Sequence, residues 1–227
     1  MNPLPPFNEK HIIVAGPTGS GKSHTLKYLL SFRENVIVCD PHYTPGDWPQ
    51  HCKIVGAGRE YTSITLELEK FDKLLNERYQ ERAKGKTEFK TITLAMDEMP
   101  SICAEIKEAS TILKKISREG RKVGIFLMIG AQGIGVVDLD IKGSGNVRDN
   151  FYIIELPLPS TPDAERIATV WIGDKEEQYL IPKEIPQGEE KPISGIMEHL
   201  TQPNITNHWA TIIIFVLVIL FLILVYS

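Results

Sequence analysis

Residues 16–23 of this 227-residue chain, Gly-Pro-Thr-Gly-Ser-Gly-Lys-Ser, restrict its fold more than any other stretch. They fit the pattern Gly-x-x-x-x-Gly-Lys-Ser/Thr, in which the glycines permit a tight loop that wraps a phosphate. The apolar run 12–15 predicts a strand that enters the loop, and residues 22–32 predict a helix that leaves it. A strand, a glycine-rich loop and a helix in this order predict a P-loop, which is a nucleotide-binding element.

Each residue type in the predicted loop suits a phosphate ligand. The backbone N–H groups of the loop lie at the positive end of the helix macrodipole, where anions are stabilised. We expect Lys22 to reach the β- and γ-phosphates and the Ser23 hydroxyl to bind Mg²⁺. ATP and Mg²⁺ are therefore the expected nucleotide and metal. The residues predicted to contact the nucleotide are Gly16, Pro17, Thr18, Gly19, Ser20, Gly21, Lys22, Ser23 and His24.

Two carboxylates follow a second apolar strand. Residues 91–96 are predicted to form that strand, and Asp97 and Glu98 come directly after it. A P-loop ATPase needs one carboxylate near the Mg²⁺ shell and a second one that accepts a proton from the attacking water. We therefore predict that Asp97 lies on the metal side and that Glu98 is the general base. Any strand can end in an Asp-Glu pair, so this assignment depends on the P-loop upstream.

A glutamine and a basic cluster flank a third apolar strand, residues 123–131. Gln132 ends the strand, where its side chain is predicted to bond the γ-phosphate or the lytic water; a turn-forming glutamine is the alternative. Arg118 and Arg121 precede the strand, together with Lys122. In a ring of subunits, either arginine can reach the γ-phosphate of the neighbouring subunit. The alternative is a solvated charge at a helix end.

Alternating apolar runs and amphipathic segments predict an α/β fold with a mostly parallel central sheet. Residues 35–39 form an apolar run that suits a parallel strand buried on both faces. The run is followed by Asp40, which is expected either beside the nucleotide or nucleic-acid path or in a simple turn. Residues 61–83 carry apolar side chains at helical spacing and predict a packing helix. A short helix is predicted at 163–171 and an edge strand at 177–182.

The C-terminal segment differs in composition from the rest of the chain. Residues 209–226 contain no charged side chain and, as a helix, span about 27 Å, which matches a bilayer core. Trp209 and Tyr226 stand at the two ends, where aromatic rings favour the membrane interface. We predict a transmembrane helix at 209–226, a linker at 187–208 and a P-loop domain at 1–186. The domain is expected to face the cytoplasm, since the N-terminus has no apolar secretory signal.

Composition restricts the remaining function classes only weakly. The chain is 42% hydrophobic and 24% charged, as expected for a globular protein with a sizeable core. Its net charge of −4 gives no overall signature of nucleic-acid binding. The cysteines Cys39, Cys52 and Cys103 lack the spacing of metal ligands and are predicted to be reduced thiols in a cytosolic domain.

Four segments together resemble the FtsK/HerA superfamily of hexameric DNA-pumping ATPases. They are the P-loop, residues 36–42 (VIVCDPH), residues 95–102 (AMDEMPSI) and residues 116–132 (ISREGRKVGIFLMIGAQ). The last segment is similar to the FtsK segment in which an arginine-bearing helix end leads through a strand to a glutamine. The resemblance implies a RecA-like core, a homo-oligomeric ring and ATP hydrolysis coupled to the movement of DNA. It also implies that Gln132 senses the γ-phosphate and that Arg118 or Arg121 acts on the neighbouring subunit.

The compact core looks more like the genome-packaging ATPases of membrane-containing viruses, or the ATPases of mobile elements, than like typical FtsK proteins. The expected function is a membrane-tethered motor that translocates DNA in viral packaging, conjugation or segregation. Its expected partners are DNA, the membrane and viral or secretion membrane proteins. One alternative is a zona-occludens-toxin-like ATPase that assembles filamentous phage. Another is a nucleotide-gated membrane scaffold that is not an enzyme.

Overall fold

The computed structural model of the chain describes residues 1–133, 150–161, 164–173 and 175–186. The strands in these ranges are β1 (His11–Ala15), β2 (Val36–Cys39), β3 (Lys53–Val55), β4 (Ile92–Met96), β5 (Ile125–Ala131), β6 (Phe151–Glu155), β7 (Ile167–Ile172) and β8 (Lys175–Leu180). The helices are α1 (Lys22–Leu30), α2 (Tyr61–Ala83), α3 (Met99–Glu105), α4 (Ala109–Glu119) and a 3₁₀ turn at Gly120–Val123.

These strands form one sheet in the order β3-β2-β4-β5-β1-β6-β7-β8. All strands from β3 to β6 in this order run parallel, whereas β7 and β8 are antiparallel additions at one side. Every residue of β1, β2, β4 and β5 is buried, as expected when helices cover both faces of a parallel sheet. The predicted α/β fold with a mostly parallel central sheet is confirmed.

The carboxyl ends of the central parallel strands meet at one edge of the sheet. Ala15 at the end of β1 pairs with Ala131 at the end of β5, and Met96 at the end of β4 pairs with Cys39 at the end of β2. The residues that follow these strands therefore emerge side by side. They are the P-loop, Gln132, Asp97 with Glu98, and Asp40. Parallel strand direction is thus the reason that segments distant in sequence share one edge.

The packing helix predicted at 61–83 is confirmed as α2, with the same bounds. Its fully buried side chains Ile64, Leu68, Phe71 and Leu75 recur every three or four residues. This spacing places them on one face of the helix, toward the core.

The helix predicted at 163–171 is wrong, because most of that segment is strand β7, Ile167–Ile172. Ala168 and Val170 are fully buried and alternate with more exposed neighbours, which is the period of a strand. Its β-branched residues also favour an extended chain. The strand pairs with β6 on one side and with β8 on the other. The predicted edge strand is present as β8.

No helix within the described ranges has the length and apolar character needed to cross a bilayer. The span predicted at 209–226 and the linker predicted at 187–208 lie outside the described residues. The domain boundary at 186 therefore stays a prediction.

His11, the first residue of β1, is fully buried, and its Nδ1 accepts a hydrogen bond of 2.9 Å from the Leu127 N–H of β5. Burial, together with the smaller effect of the nearby Arg121 charge, lowers the pKa of His11 from 6.5 to about 3. The folded pKa lies below the unfolded one, so the neutral imidazole contributes stability above pH 6.5 that is lost as the pH falls toward 3. We expect the free energy of unfolding to fall by up to about 1.4 kcal/mol per pH unit in this window.

Chemical denaturation across the same pH window measures this loss. His11→Asn keeps an acceptor in reach of β5 but does not titrate, so its stability should change less with pH. His51→Asn is a matched control, because His51 is only partly buried and its ring contacts the Leu30 carbonyl at 3.3 Å. Equal pH dependence in the wild type and His11→Asn would contradict the prediction.

Candidate nucleotide-binding site

The predicted P-loop has the backbone shape that phosphate binding requires. Gly19 and Gly21 have φ angles of 84° and 96°, a left-handed conformation that glycine adopts without strain. Gly21 directly precedes α1, and no described side chain caps that end of the helix. The first turn of α1 also contains no acidic residue. The positive end of the helix dipole therefore faces the loop without a compensating anion.

Lys22 lies across its own loop. Its Nζ donates hydrogen bonds to the carbonyl oxygens of Gly16 at 2.9 Å and Pro17 at 3.1 Å. This places the ammonium group beside the loop N–H groups, where a nucleotide phosphate would bind. The role of Lys22 at the β- and γ-phosphates stays a prediction.

Ser23 and Asp97 are in direct contact, although the chain separates them by three strands and a long helix. The Ser23 hydroxyl donates to Asp97 Oδ2 at 2.7 Å. The other oxygen, Oδ1, is buried and has no hydrogen-bond partner within the described residues. A Cβ at Gly130 of β5 would lie 2.8 Å from this oxygen, so the absent side chain at Gly130 leaves room for it.

Burial raises the pKa of Asp97, and the Ser23 hydrogen bond opposes this effect. The charges of Asp40 and Glu98 raise the pKa further, whereas Lys22 lowers it. A hydroxyl next to a carboxylate with one unused oxygen is a ligand set that suits Mg²⁺. Ser23 and Asp97 therefore fit the metal that the sequence predicts.

Glu98 and Gln132 lie close to Lys22. The three residues line one small cavity of about 50 Å³, whose floor includes Gly130 and Ala131. Glu98 caps the start of α3 with a φ of 55°, a conformation that is uncommon for a residue with a side chain. Such strained positions cluster at functional sites. The structure thus brings the predicted base and the predicted sensor to the same lysine.

Arg118 and Arg121 are not part of this cluster. Arg118 ends α4, and Arg121 lies in the 3₁₀ turn just before β5 starts, with its Nη1 3.3 Å from Asn150 Oδ1. Both side chains are exposed. They stand at the amino edge of the sheet, opposite the P-loop, so within one chain they do not reach the site. Their predicted action on a neighbouring subunit stays a prediction.

His24 contributes its backbone position and not its ring to the predicted loop. Its Nε2 lies 2.9 Å from the Pro182 carbonyl oxygen, which directs the imidazole toward the segment after β8. The His24 backbone N–H lies in the first turn of α1, next to the predicted loop. The spacing of the P-loop residues does not distinguish the His24 backbone from its ring.

A larger cavity of about 470 Å³ opens beside Ser23, Asp97 and Glu98. Its other walls include Lys27, Asp40, His42, Asp47, Trp48 and Ile185. Sequence reasoning placed only Asp40 near the site, because that residue ends a parallel strand. Of the remaining wall residues, Lys27 lies in α1, and the others come from the loop after β2 and from the segment after β8. Nothing in their local pattern indicated this position.

Asp40 also organises the loop that follows it. One carboxylate oxygen accepts the His42 N–H at 2.8 Å, and the other accepts the Trp48 indole N–H at 2.8 Å. Asp40 is 6% exposed and Trp48 is also 6% exposed, so these bonds are shielded from water. Asp40 therefore both stabilises the turn after β2 and lines the cavity beside Ser23 and Asp97.

Comparisons with known proteins give no family assignment from sequence. No family model matches the chain, and no curated protein matches it significantly. Solved structures do match in shape. Two of them are the EccC ATPases 2 and 3 of Thermomonospora curvata in complex with a signal sequence peptide and the cytoplasmic domain of EssC, both 13% identical with TM-scores of 0.52. The alignments cover 78% and 76% of this chain but only 37% and 39% of the two structures.

A third structure is the pCW3 conjugation coupling protein TcpA with ATPγS, which is 19% identical with a TM-score of 0.49. The alignment covers 77% of this chain and 60% of TcpA. This chain thus spans about 40 to 60% of the length of these structures. Identities this low establish the fold and nothing finer. The chain shares the fold of the EccC and EssC ATPases, which agrees with the P-loop ATPase fold that its motifs predict.

Proposed function

We propose that this chain is a Mg²⁺-dependent ATPase that moves DNA. The observation that carries the enzymatic part is the convergence at one sheet edge of Lys22, the Ser23–Asp97 pair, Glu98 and Gln132. These groups come from three different strand ends. A lysine, a metal-side carboxylate, a base and a water-orienting amide are the parts that phosphoryl transfer to water requires.

Each residue has a defined part in hydrolysis. The Lys22 ammonium exchanges the Gly16 and Pro17 carbonyls for oxygens of the β- and γ-phosphates. Ser23 and Asp97 would hold Mg²⁺, which would neutralise charge that develops on the phosphates. Glu98 accepts the proton of the attacking water, and the Gln132 amide orients that water toward the phosphorus atom. The exposed position of Glu98 allows water to reach it.

The DNA-moving part of the proposal is supported by the resemblance of residues 116–132 to the FtsK segment. In the proposed motor, identical subunits form a ring, which the resemblance implies to be a hexamer. Arg118 or Arg121 of one subunit then acts at the nucleotide of the next. Both side chains are exposed at the amino edge of the sheet. Residues 209–226 are proposed to tether the ring to a membrane, where viral or secretion membrane proteins are candidate partners.

The test is ATP turnover of the full chain in detergent, with and without single- and double-stranded DNA. We expect Mg²⁺-dependent turnover that rises when DNA is added. Lys73→Ala, which removes an exposed lysine of α2 that pairs with Glu77 at 3.7 Å, should behave like the wild type. Turnover that ignores DNA but responds to membranes carrying a coat protein would favour the phage-assembly alternative. Nucleotide binding without turnover would overturn the ATPase and favour the scaffold.

A further inference from the structure

Arg166, just before β7, lies against the P-loop from the side opposite to Asp97. A Cβ placed on Gly21 would overlap Arg166 Nη1 and would lie 3.0 Å from Cζ and 3.2 Å from Cδ. The outer half of the arginine therefore covers the backbone of Gly21. Gly21 needs to be a glycine for its φ of 96°, and a side chain there would displace the end of Arg166.

The β7–β8 ribbon holds Arg166 in this place. The Arg166 carbonyl accepts the Ile181 N–H at 2.8 Å, next to the ladder pair of Ile167 with Leu180. The following residue, Pro182, accepts the hydrogen bond of His24. Because β7 is antiparallel to the central strands, it begins at the edge where they end. Arg166, just before the start of β7, therefore lies at the same edge of the sheet as the P-loop.

Positive charge converges on this loop. In the described part of the chain, no hydrogen bond or ion pair engages the Arg166 guanidinium, whereas Lys22 is bonded to loop carbonyls. The N-terminal end of α1 adds its dipole, and the first turn of α1 has no acidic residue. Two cations and a helix N-terminus repel one another unless an anion lies between them. A polyphosphate supplies that anion.

We propose that Arg166 is a nucleotide-binding residue that donates to a phosphate of the nucleotide bound by the same chain. This inference rests on the proposed function. In the sheet order, Asp97 follows β4, two strands to one side of β1, and Arg166 precedes β7, two strands to the other side. Ser23 and Asp97 would hold the metal, so the γ-phosphate that it would neutralise is expected on the Asp97 side. Arg166 therefore binds the α- or β-phosphate, which ADP and ATP share.

Calorimetric titration of the full chain with ADP and with a non-hydrolysable ATP analogue tests this proposal. Arg166→Ala should weaken the binding of both ligands by the same factor, about tenfold or more, because a charge-assisted hydrogen bond is lost. Arg166→Lys should recover part of the affinity. Lys175→Ala, which removes an exposed cation at the start of β8 on the same ribbon, should bind both ligands like the wild type.

The titrations distinguish a failure of the Arg166 proposal from a failure of the proposed ATPase. If Arg166→Ala binds ADP and the ATP analogue like the wild type, the proposal for Arg166 is overturned. If Lys22→Ala has lost nucleotide binding in the same experiment, the proposed ATPase still stands. A loss for the ATP analogue alone overturns the assignment to the shared phosphates. No binding by the wild type would instead defeat the proposed function itself.

Folding effects are separable from ligand binding. If Arg166→Ala does not fold, Arg166→Gln and Arg166→Lys carry the test, since both keep an aliphatic stem over Gly21. The unfolding temperature of each variant is measured without ligand. A lower unfolding temperature of Arg166→Gln together with wild-type affinity for ADP would make Arg166 a packing residue and overturn the proposal.

Discussion

Glu98→Gln is expected to reduce ATP turnover by about 10²–10⁴-fold, the usual contribution of a general base. The amide is isosteric with the carboxylate but does not accept a proton from water. ATP binding should remain, because Lys22, Ser23 and Asp97 are unchanged. A rapid-mixing measurement of phosphate release, combined with a nucleotide-binding titration, separates the two quantities.

Glu77→Gln is the matched control for this variant. Glu77 is an exposed glutamate of α2 whose carboxylate lies 3.7 Å from Lys73 Nζ. It is far in sequence from the strand ends that build the site, so its amide variant should keep wild-type turnover. If Glu98→Gln also keeps wild-type turnover, Glu98 is not the base, and the proton acceptor has to be sought elsewhere on this edge.

Lys22→Ala is expected to weaken nucleotide binding by on the order of 100-fold, since a charge-assisted hydrogen bond contributes roughly 1.5–3 kcal/mol and about 1.4 kcal/mol is tenfold. The effect should be larger for ATP than for ADP, because the ammonium reaches the γ-phosphate as well as the β-phosphate. This pattern differs from the equal loss expected for Arg166→Ala. Titration of both nucleotides against both variants measures the difference.

The folded state should tolerate Lys22→Ala. The lysine is only partly buried and bonds to the carbonyls of Gly16, which is buried, and Pro17, which is exposed. Water from the adjoining cavity can replace the ammonium group at these carbonyls. The unfolding temperature of Lys22→Ala without nucleotide should therefore match that of Lys73→Ala. Wild-type affinity in Lys22→Ala would mean that the loop binds no phosphate, and it would remove the basis of the proposed function.

Much of the site was predictable because its residues sit in local patterns with a physical cause. A loop that wraps phosphate needs its glycines and its lysine next to one another in the chain. Asp97 and Gln132 follow apolar runs, and parallel strands that are buried on both faces bring their ends to one edge. The long helix α2 was predictable for a similar reason, since a period of 3.6 residues shows itself within a single segment.

Contacts between segments that are distant in sequence determine the remaining features of the fold and the site, and no local sequence pattern predicts these contacts. Residues 163–171 resembled a helix in isolation, but pairing with β6 and β8 makes Ile167–Ile172 a strand. The room for the free oxygen of Asp97 comes from Gly130 on a neighbouring strand, and the burial that raises its pKa comes from the assembled sheet. The position of Arg166 over Gly21 depends on an antiparallel ribbon at the far side of β1.

The range of the interactions explains which features the sequence predicts and which need the tertiary structure. Backbone shape and hydrophobic period act over neighbours in sequence, so the chain itself determined the P-loop, the strand ends and the carboxylate pair. Burial, electrostatic convergence and strand pairing act between segments that only folding brings into contact. For that reason the tertiary structure was needed to place Arg166 and Trp48 beside the site and Arg118 and Arg121 away from it.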